Sequence, residues 1–258
     1  MLDNLQIPNE AITETVKSVD RHIGATYDNM TTSPSQAFGQ GVADVIELIF
    51  SPIHHLSEKS KLYYKAKLDL YRAEISEKIN SIPAEKQTEA NFHTVAIAIE
   101  NSKYCITNDD LRRMFVNLIG NSINSDMNGI IHPSFSAIIK ELSSLDAQIM
   151  RLAYHERIHP AARFAKTKTL SGHTFYAAKY DVVITEPDMI KKQSASIANL
   201  ERLNLIRYHI GNNIFPVAEY DELVELYKES FEAENTILQE GYIEITDYGL
   251  HFMKACCE

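Results

Sequence analysis

The chain has 258 residues, is 45% hydrophobic and 23% charged, and carries a formal net charge of −10. That is long enough for one large or two modest domains with a sizeable core, at an ordinary soluble composition. Three cysteines, Cys105 and the adjacent pair Cys256-Cys257, supply neither a disulfide framework nor a CxxC metal pair. With a start (Met1-Leu-Asp-Asn) that has no basic, apolar signal pattern, they point to a reducing, cytoplasmic setting.

The charge is uneven. Residues 1–150 carry −6, residues 151–207 carry +5 and residues 208–258 carry −9. A cationic middle followed at once by an acidic stretch is not the profile of a wholesale nucleic-acid binder.

Taken in chain order, Ile12, Val16, Val19 and Ile23 step by four, three and four. They predict a short amphipathic helix ending near Gly24. Residues 26–36, with Pro34, have no periodicity and read as a loop or linker, so residues 1–35 form a leading segment. Phe38 to Leu56 is the most apolar run, but Asp44, Glu47 and Pro52 interrupt it well short of the ~20 residues of a membrane span. It reads as a buried helix with small-residue packing at Gly39, Gly41 and Ala43, and peripheral membrane contact through residues 38–56 stays open.

Ser57 is placed as the cap of a long helix to about Ile82, with Tyr64, Leu68, Tyr71, Ile75 and Ile79 on one stripe. Its lysines interleave with Glu58, Asp69, Glu74 and Glu77 and read as a solvated face. A central helix over Thr88 to Ser102 follows. Thr107 or Asn108 then caps a helix whose acids Asp109 and Asp110 suit the first turn, with Leu111, Met114, Phe115, Leu118 and Ile119 inward. Asn128-Gly129 turns the chain, and His132-Pro-Ser-Phe135 opens a helix with proline at its first position. Ser143 or Ser144 caps the next helix, carrying Leu145, Ile149 and Leu152. Residues 36–155 therefore read as a helical bundle with short connections.

Beyond Pro160 the pattern changes, and residues 156–258 form the second domain. Phe175 to Ile184 reads as a strand. Asp188 caps a helix through Leu205, and Ile206 to Ile210 is a strand leading to the Gly211-Asn-Asn213 turn. Residues 218–232 read as an acidic helix with Leu223, Leu226 and Tyr227 inside, within an acidic insert over 218–240. Tyr242 to Ile245 alternates as a half-buried strand does, and Thr246-Asp247 caps the last helix. Helix, two-stranded ribbon and closing helix make a winged-helix-like α+β domain. The predicted fold class is mainly α: an N-terminal helical bundle, then this domain with its small antiparallel ribbon.

Four signatures occur in order: Leu111-Arg-Arg-Met-Phe-Val-Asn-Leu-Ile119, His132-Pro-Ser-Phe135, Leu200-Glu-Arg-Leu-Asn-Leu-Ile206, and Ile245-Thr-Asp-Tyr-Gly249 with Phe252 to Cys256. In that order and spacing the chain resembles the Abi-alpha family, bacterial proteins linked to abortive phage infection, over roughly residues 38–257. The resemblance implies defence against phage and brings no catalytic centre with it. It marks His132, Pro133, Ser134, Phe135, Leu200, Leu203, Thr246, Asp247 and Gly249 as motif or interaction candidates.

Chemistry-bearing patterns are few. His155-Glu-Arg-Ile-His159 satisfies HExxH, whose zinc chemistry needs both imidazoles on one helical face and a third ligand. Pro160 pushes His159 out of the α region, so metallopeptidase chemistry through His155, Glu156 and His159 is the minor reading. The pair His54-His55 diverges by about 100° on a helix. Gly39-Gln-Gly41 lacks the rest of a phosphate loop. Ser134 and Ser171-Gly172-His173 lack the partners of a nucleophile, and Cys105 reads as packing. Lys191, Lys192 and Arg202 would serve groove reading, but the insert's Glu219, Asp221, Glu222, Glu225, Glu229, Glu232 and Glu234 would repel phosphates.

The sequence thus predicts a non-enzymatic, cytoplasmic antiphage factor with no cofactor and no metal, acting through a protein partner or as a homo-oligomer. A winged-helix DNA-binding regulator is the alternative.

Overall fold

The computed structural model describes residues 34–50, 58–89, 92–183, 190–212, 214–216, 220–221, 225 and 236–258. Eight α-helices and a four-stranded antiparallel sheet occur among them. The chain divides into a helical unit, residues 1–141 with 254–258, and a sheet unit, residues 142–253. The predicted helix around Ile12 and the caps at Ser57 and Asp188 lie outside the described residues.

In the helical unit, α1 (Pro34–Phe50) begins inside the stretch expected to be a loop. Proline is tolerated in a first turn, where its missing N–H has no partner to lose. Ala37, Phe38, Val42, Val45, Ile46, Ile49 and Phe50 are buried, while Asp44, Glu47 and Leu48 are exposed. The spacing of three and four makes α1 an amphipathic wall. Ala43, expected in the packing, faces solvent. Phe38 meets Phe92 edge-on at 5.5 Å, and Phe50 lies 6.2 Å from Tyr64.

Helix α2 (Glu58–Ser81) buries Leu68, Tyr71, Ile75 and Ile79, the predicted stripe, with Tyr64 half-buried. Helix α3 (Phe92–Ser102) starts later than expected. Thr88 belongs to an extended stretch instead, its N–H donating to the Ile123 carbonyl at 2.7 Å. Helix α4 (Asp109–Asn121) is capped by Asn108, whose side chain accepts from the amides of Asp110 and Leu111. All five of its predicted inward residues are buried, each contributing about 1.5–3 kcal/mol by burial.

Helix α5 (Phe135–Glu141) starts two residues after Pro133. Its first helical hydrogen bond runs from Ile138 N to Ser134 O, which leaves Pro133 in the preceding turn. Asn117 and Asn121 donate to the carbonyls of Cys256 and Ala255 at 3.1 and 3.0 Å, holding residues 254–258 in this unit.

In the sheet unit, α6 (Ser144–Glu156) opens with a capping box between Ser143 and Asp146. Strand β1 (Ile158–Leu170) was not foreseen. It pairs with β2 (His173–Val182) and with β4 (Thr236–Ile245), which pairs with β3 (Ile206–Ile210), giving the order β2-β1-β4-β3. The small ribbon expected from the sequence is thus half of a larger sheet. Pro160 precedes the start of the β2 ladder at Ala162, where β1 is still an edge on that side and proline is tolerated.

Strand β4 takes up residues 236–240, so the acidic insert ends earlier than expected. The predicted acidic helix falls mostly outside the described residues, although Tyr220, Asp221 and Glu225 are helical. Tyr220 is buried with Ala162, Phe164 and Val182, and its hydroxyl donates to Gly241 O at 2.8 Å.

Helix α7 (Ile190–Arg202) ends before Leu205. Asn204 there has φ of 56°, and Leu205 N donates to Leu200 O while Asn204 N donates to Glu201 O. That is a Schellman closure, with asparagine in the left-handed position. Helix α8 (Asp247–Cys257) closes the chain.

Candidate functional site

Most of the marked residues hold the fold together. His132 Nδ1 lies 2.6 Å from Ser134 Oγ and 3.2 Å from Ser134 N, closing the turn before α5. Phe135 is fully buried. The motif's histidine acts locally, as a cap does.

In the sheet unit, Leu200 is buried and Leu203 half-buried, whereas Asp247 is exposed. Thr246 Oγ1 donates to Asn204 O at 2.6 Å and accepts from Gly249 N at 2.9 Å. One hydroxyl therefore caps α8 and locks it to the turn after α7. A Cβ on Gly249 would collide with the Leu205 carbonyl. The motif pair Leu200–Ile206 and Thr246–Gly249 is a joint, and these residue types are needed to close it.

Arg112, in the first signature, is 2% exposed. It donates to both carboxylate oxygens of Glu74 at 2.8 and 3.1 Å, to Ile106 O at 3.3 Å, and to Asp109. Lys67 Nζ, also on Asp109, at 2.9 Å, and Arg112 hold the Asp109 carboxyl down at about 2. Buried guanidinium charge is accommodated by this bidentate pairing.

The HExxH arrangement does not form. Helix α6 ends at Glu156, Arg157 has φ of 63°, and His159 lies in β1 with its Nδ1 2.6 Å from Glu156 Oε2. Among the described residues, no group of three or more His, Cys, Asp or Glu side chains could hold a metal ion. Cys105 and Cys256 are buried, and burial raises both thiols.

A polar cluster absent from the sequence reading joins β1, β2 and β3. Asp181 Oδ1 accepts from Arg163 Nε at 2.6 Å and from the Tyr208 hydroxyl at 2.8 Å, and the guanidinium lies 5.4 Å from the Tyr208 ring centre. Burial, then the Asp181 carboxylate, pushes the Tyr208 hydroxyl far up. Strands β2 and β3 are opposite edges of the sheet, about 14 Å apart if it were flat. Their direct contact shows that it curls. The available signal was Ser171-Gly172: a two-residue hairpin there would set Arg163 opposite Tyr180, and the register shift between Phe164 and Ala165 moves it opposite Asp181.

Helix α7 covers the β2 edge. Asp181 N donates to Ser194 Oγ and Val183 N to Gln193 Oε1, both at 2.7 Å, and Asn199 donates to Asp146 at 3.2 Å. Arg202 is held by Asn199 Oδ1 at 2.8 Å. The exposed residues of α7 after Gln193 are Ala195, Ala198, Glu201 and Arg202. Lys191 and Lys192 sit in its first turn, and their side chains lie outside the described set.

The family model for abortive infection alpha matches residues 63–256. The chain belongs to the abortive infection alpha family. That match takes in Arg112, the His132–Phe135 turn and the Thr246–Gly249 joint, each of which fastens the fold internally. Nothing matches among curated proteins or among solved structures. Membership implies a role in abortive infection. No helix among the described residues is long and apolar enough to cross a membrane.

Proposed function

We propose that this abortive infection protein acts without catalysis, through protein contact or self-assembly, and that the sheet unit is a winged-helix-like module turned to that use. Helix α6, strand β1, helix α7 and the β3–β4 ribbon follow the order of such a module, with β2 as an addition. The observation that carries the reading is the orientation of α7. Its Gln193, Ser194 and Asn199 point inward and are engaged within the fold, and after Gln193 the exposed residues are two alanines, an acid and an arginine already held by Asn199. A groove-reading helix instead sends amides and cations outward to bases and phosphates. A face of small side chains suits close approach by another polypeptide.

The test is phage challenge of cells expressing the chain, comparing the wild type with Ala198→Glu. The expected result is fewer plaques with the wild type and restored plaques with the variant, at unchanged melting temperature. Equal plaque counts with and without the wild type across a broad phage panel would overturn the antiphage reading. Full protection by Ala198→Glu would overturn the role of this face.

A further inference from the structure

Helix α2 is apolar on two sides. One side is the buried stripe of Leu68, Tyr71, Ile75 and Ile79. The other runs through Tyr63, Ala66, Leu70 and Ala73, spaced by three, four and three, with Leu62 beside its start. At 100° per residue those four lie within about 80° of arc, a single seam along the helix. All are exposed, and Leu62, Tyr63 and Leu70 are 72%, 55% and 41% exposed. Lys65, Asp69 and Ser76, also exposed, border the seam on one flank. On the other flank Lys67 and Glu74 are engaged within the fold, on Asp109 and Arg112. Single exposed apolar side chains are ordinary on a protein surface, whereas a row of them at helical spacing marks a surface that another body covers.

The charge of α2 reverses along its length. Residues 58–67 hold four lysines and one acid, and residues 68–81 hold three acids against Arg72 and Lys78. Glu77 is exposed and in line with the seam. Lys59 stands on the same line roughly five turns, about 27 Å, earlier. Such a helix repels a parallel copy of itself and attracts an antiparallel one, in which the helix dipoles are also opposed. An antiparallel copy centred on Leu68 sets Tyr63 against Ala73, Ala66 against Leu70 and Lys59 against Glu77, each twice. A large side chain meets a small one at each apolar level, which lets two helices approach to about 8 Å.

We propose that this seam is the interface of a homodimer, in which two copies of the chain pair antiparallel through α2. A two-fold axis makes one surface serve both partners, and a surface with its charge reversed end to end is complementary to itself. A lipid surface fits less well, because Asp69 and Glu77 would face anionic headgroups. Two helices in contact over this length bury less than the ~1,200 Å² of a standard interface, so the dimer dissociates in the micromolar range. The inference gives the self-assembly reading a surface, and rests on that reading only for its biological use. The dimer is measured in vitro, and Ala198→Glu on α7 should leave it intact whatever the plaque counts.

The experiment is sedimentation equilibrium of the full chain across micromolar concentrations. The expected result for the wild type is a monomer–dimer equilibrium. Leu70→Glu should raise the dissociation constant by about tenfold or more, with an unchanged circular dichroism spectrum. Lys59→Glu and Glu77→Lys should each weaken the dimer, and the two together should restore it, which a loss of folding cannot mimic. A dimer indifferent to Leu70→Glu would overturn the proposal, and failure of the double reversal to rescue would overturn the antiparallel pairing. A wild-type monomer would overturn it as well. Flotation of that monomer with phosphatidylserine vesicles would assign the seam to lipid, and dimerisation only after deletion of residues 1–33 would assign it to the chain's own leading segment.

Discussion

Gly249 lies directly beneath the main-chain carbonyl of Leu205, with Ile245 Cγ1 2.9 Å from where a Cβ would stand. A glycine there lets α8 start against the turn that ends α7, and Thr246 bonds both sides of the contact. Because the obstacle is backbone, a side chain cannot be accommodated by a rotamer change. Gly249→Ala should cost about 1–3 kcal/mol by overpacking, read as a lower urea midpoint. An unchanged midpoint would show that the joint yields.

Thr246→Val keeps the shape and removes the hydroxyl. The Gly249 amide then loses its cap and the Asn204 carbonyl its donor. The expected loss is about 1–2 kcal/mol, measured by chemical denaturation. Thr246→Ser should recover most of it.

Arg112 and Glu74 form a two-bonded pair with the guanidinium almost wholly enclosed. Arg112→Ala leaves the Glu74 carboxylate without its partner in a half-buried position. A loss of about 3 kcal/mol follows, at the lower end for a buried pair because Glu74 keeps some solvent. Arg112→Lys should not restore stability, since an ammonium cannot reproduce the forked geometry.

Asp109 gives the pH dependence. Lys67 and Arg112 hold its carboxyl at about 2 in the fold, below its ordinary value of 3.8. A depressed carboxyl contributes its stability above the unfolded value and loses it as pH falls through the folded one. Stability should therefore be level in this respect near neutrality and decline between about pH 4 and pH 2. Asp109→Asn should flatten part of that decline in denaturation midpoints collected across the range. An identical acid profile in the variant would remove Asp109 from the account.

Tyr208→Phe removes one of the two donors to Asp181 Oδ1 while Arg163 remains. The loss should be about 1 kcal/mol. Asp181→Ala takes the acceptor from both and should cost more than the first change. A double-mutant cycle between positions 163 and 208 reads the coupling directly.

Much of the helical unit was legible because its signals are local. The stripe from Leu68 to Ile79, the inward face of α4 and the Asn108 cap follow from spacing and side-chain chemistry within a few residues, as does the Ser143 cap in the sheet unit. The errors arose where two local rules competed. Pro133 suited a first helical position, but the His132–Ser134 hydrogen bonds close a turn and delay α5. Pro34 and its polar neighbours read as loop, while the apolar spacing that begins at Ala37 carries α1 back over them.

For the candidate site, the sequence pointed to segments and not to what their side chains do in the fold. Lys191, Lys192 and Arg202 were marked for groove reading, yet what α7 commits to the fold are Gln193, Ser194 and Asn199, which no pattern singled out. Strand β1 went unseen because alanines, lysines and Pro160 have little strand preference of their own. It is a strand through its partners.

By itself the sequence determined the family, the mainly helical class, the position of the turns at Gly129 and Gly211, and the separation of a cationic middle from an acidic end. These depend on residues a few places apart. Only the tertiary structure decided that Arg163, Asp181 and Tyr208 meet across a curled sheet, and that Arg112 and Thr246 fasten the fold. Strand pairing and burial are settled between residues distant along the chain, and the free energy that selects them exists only once those partners have come together.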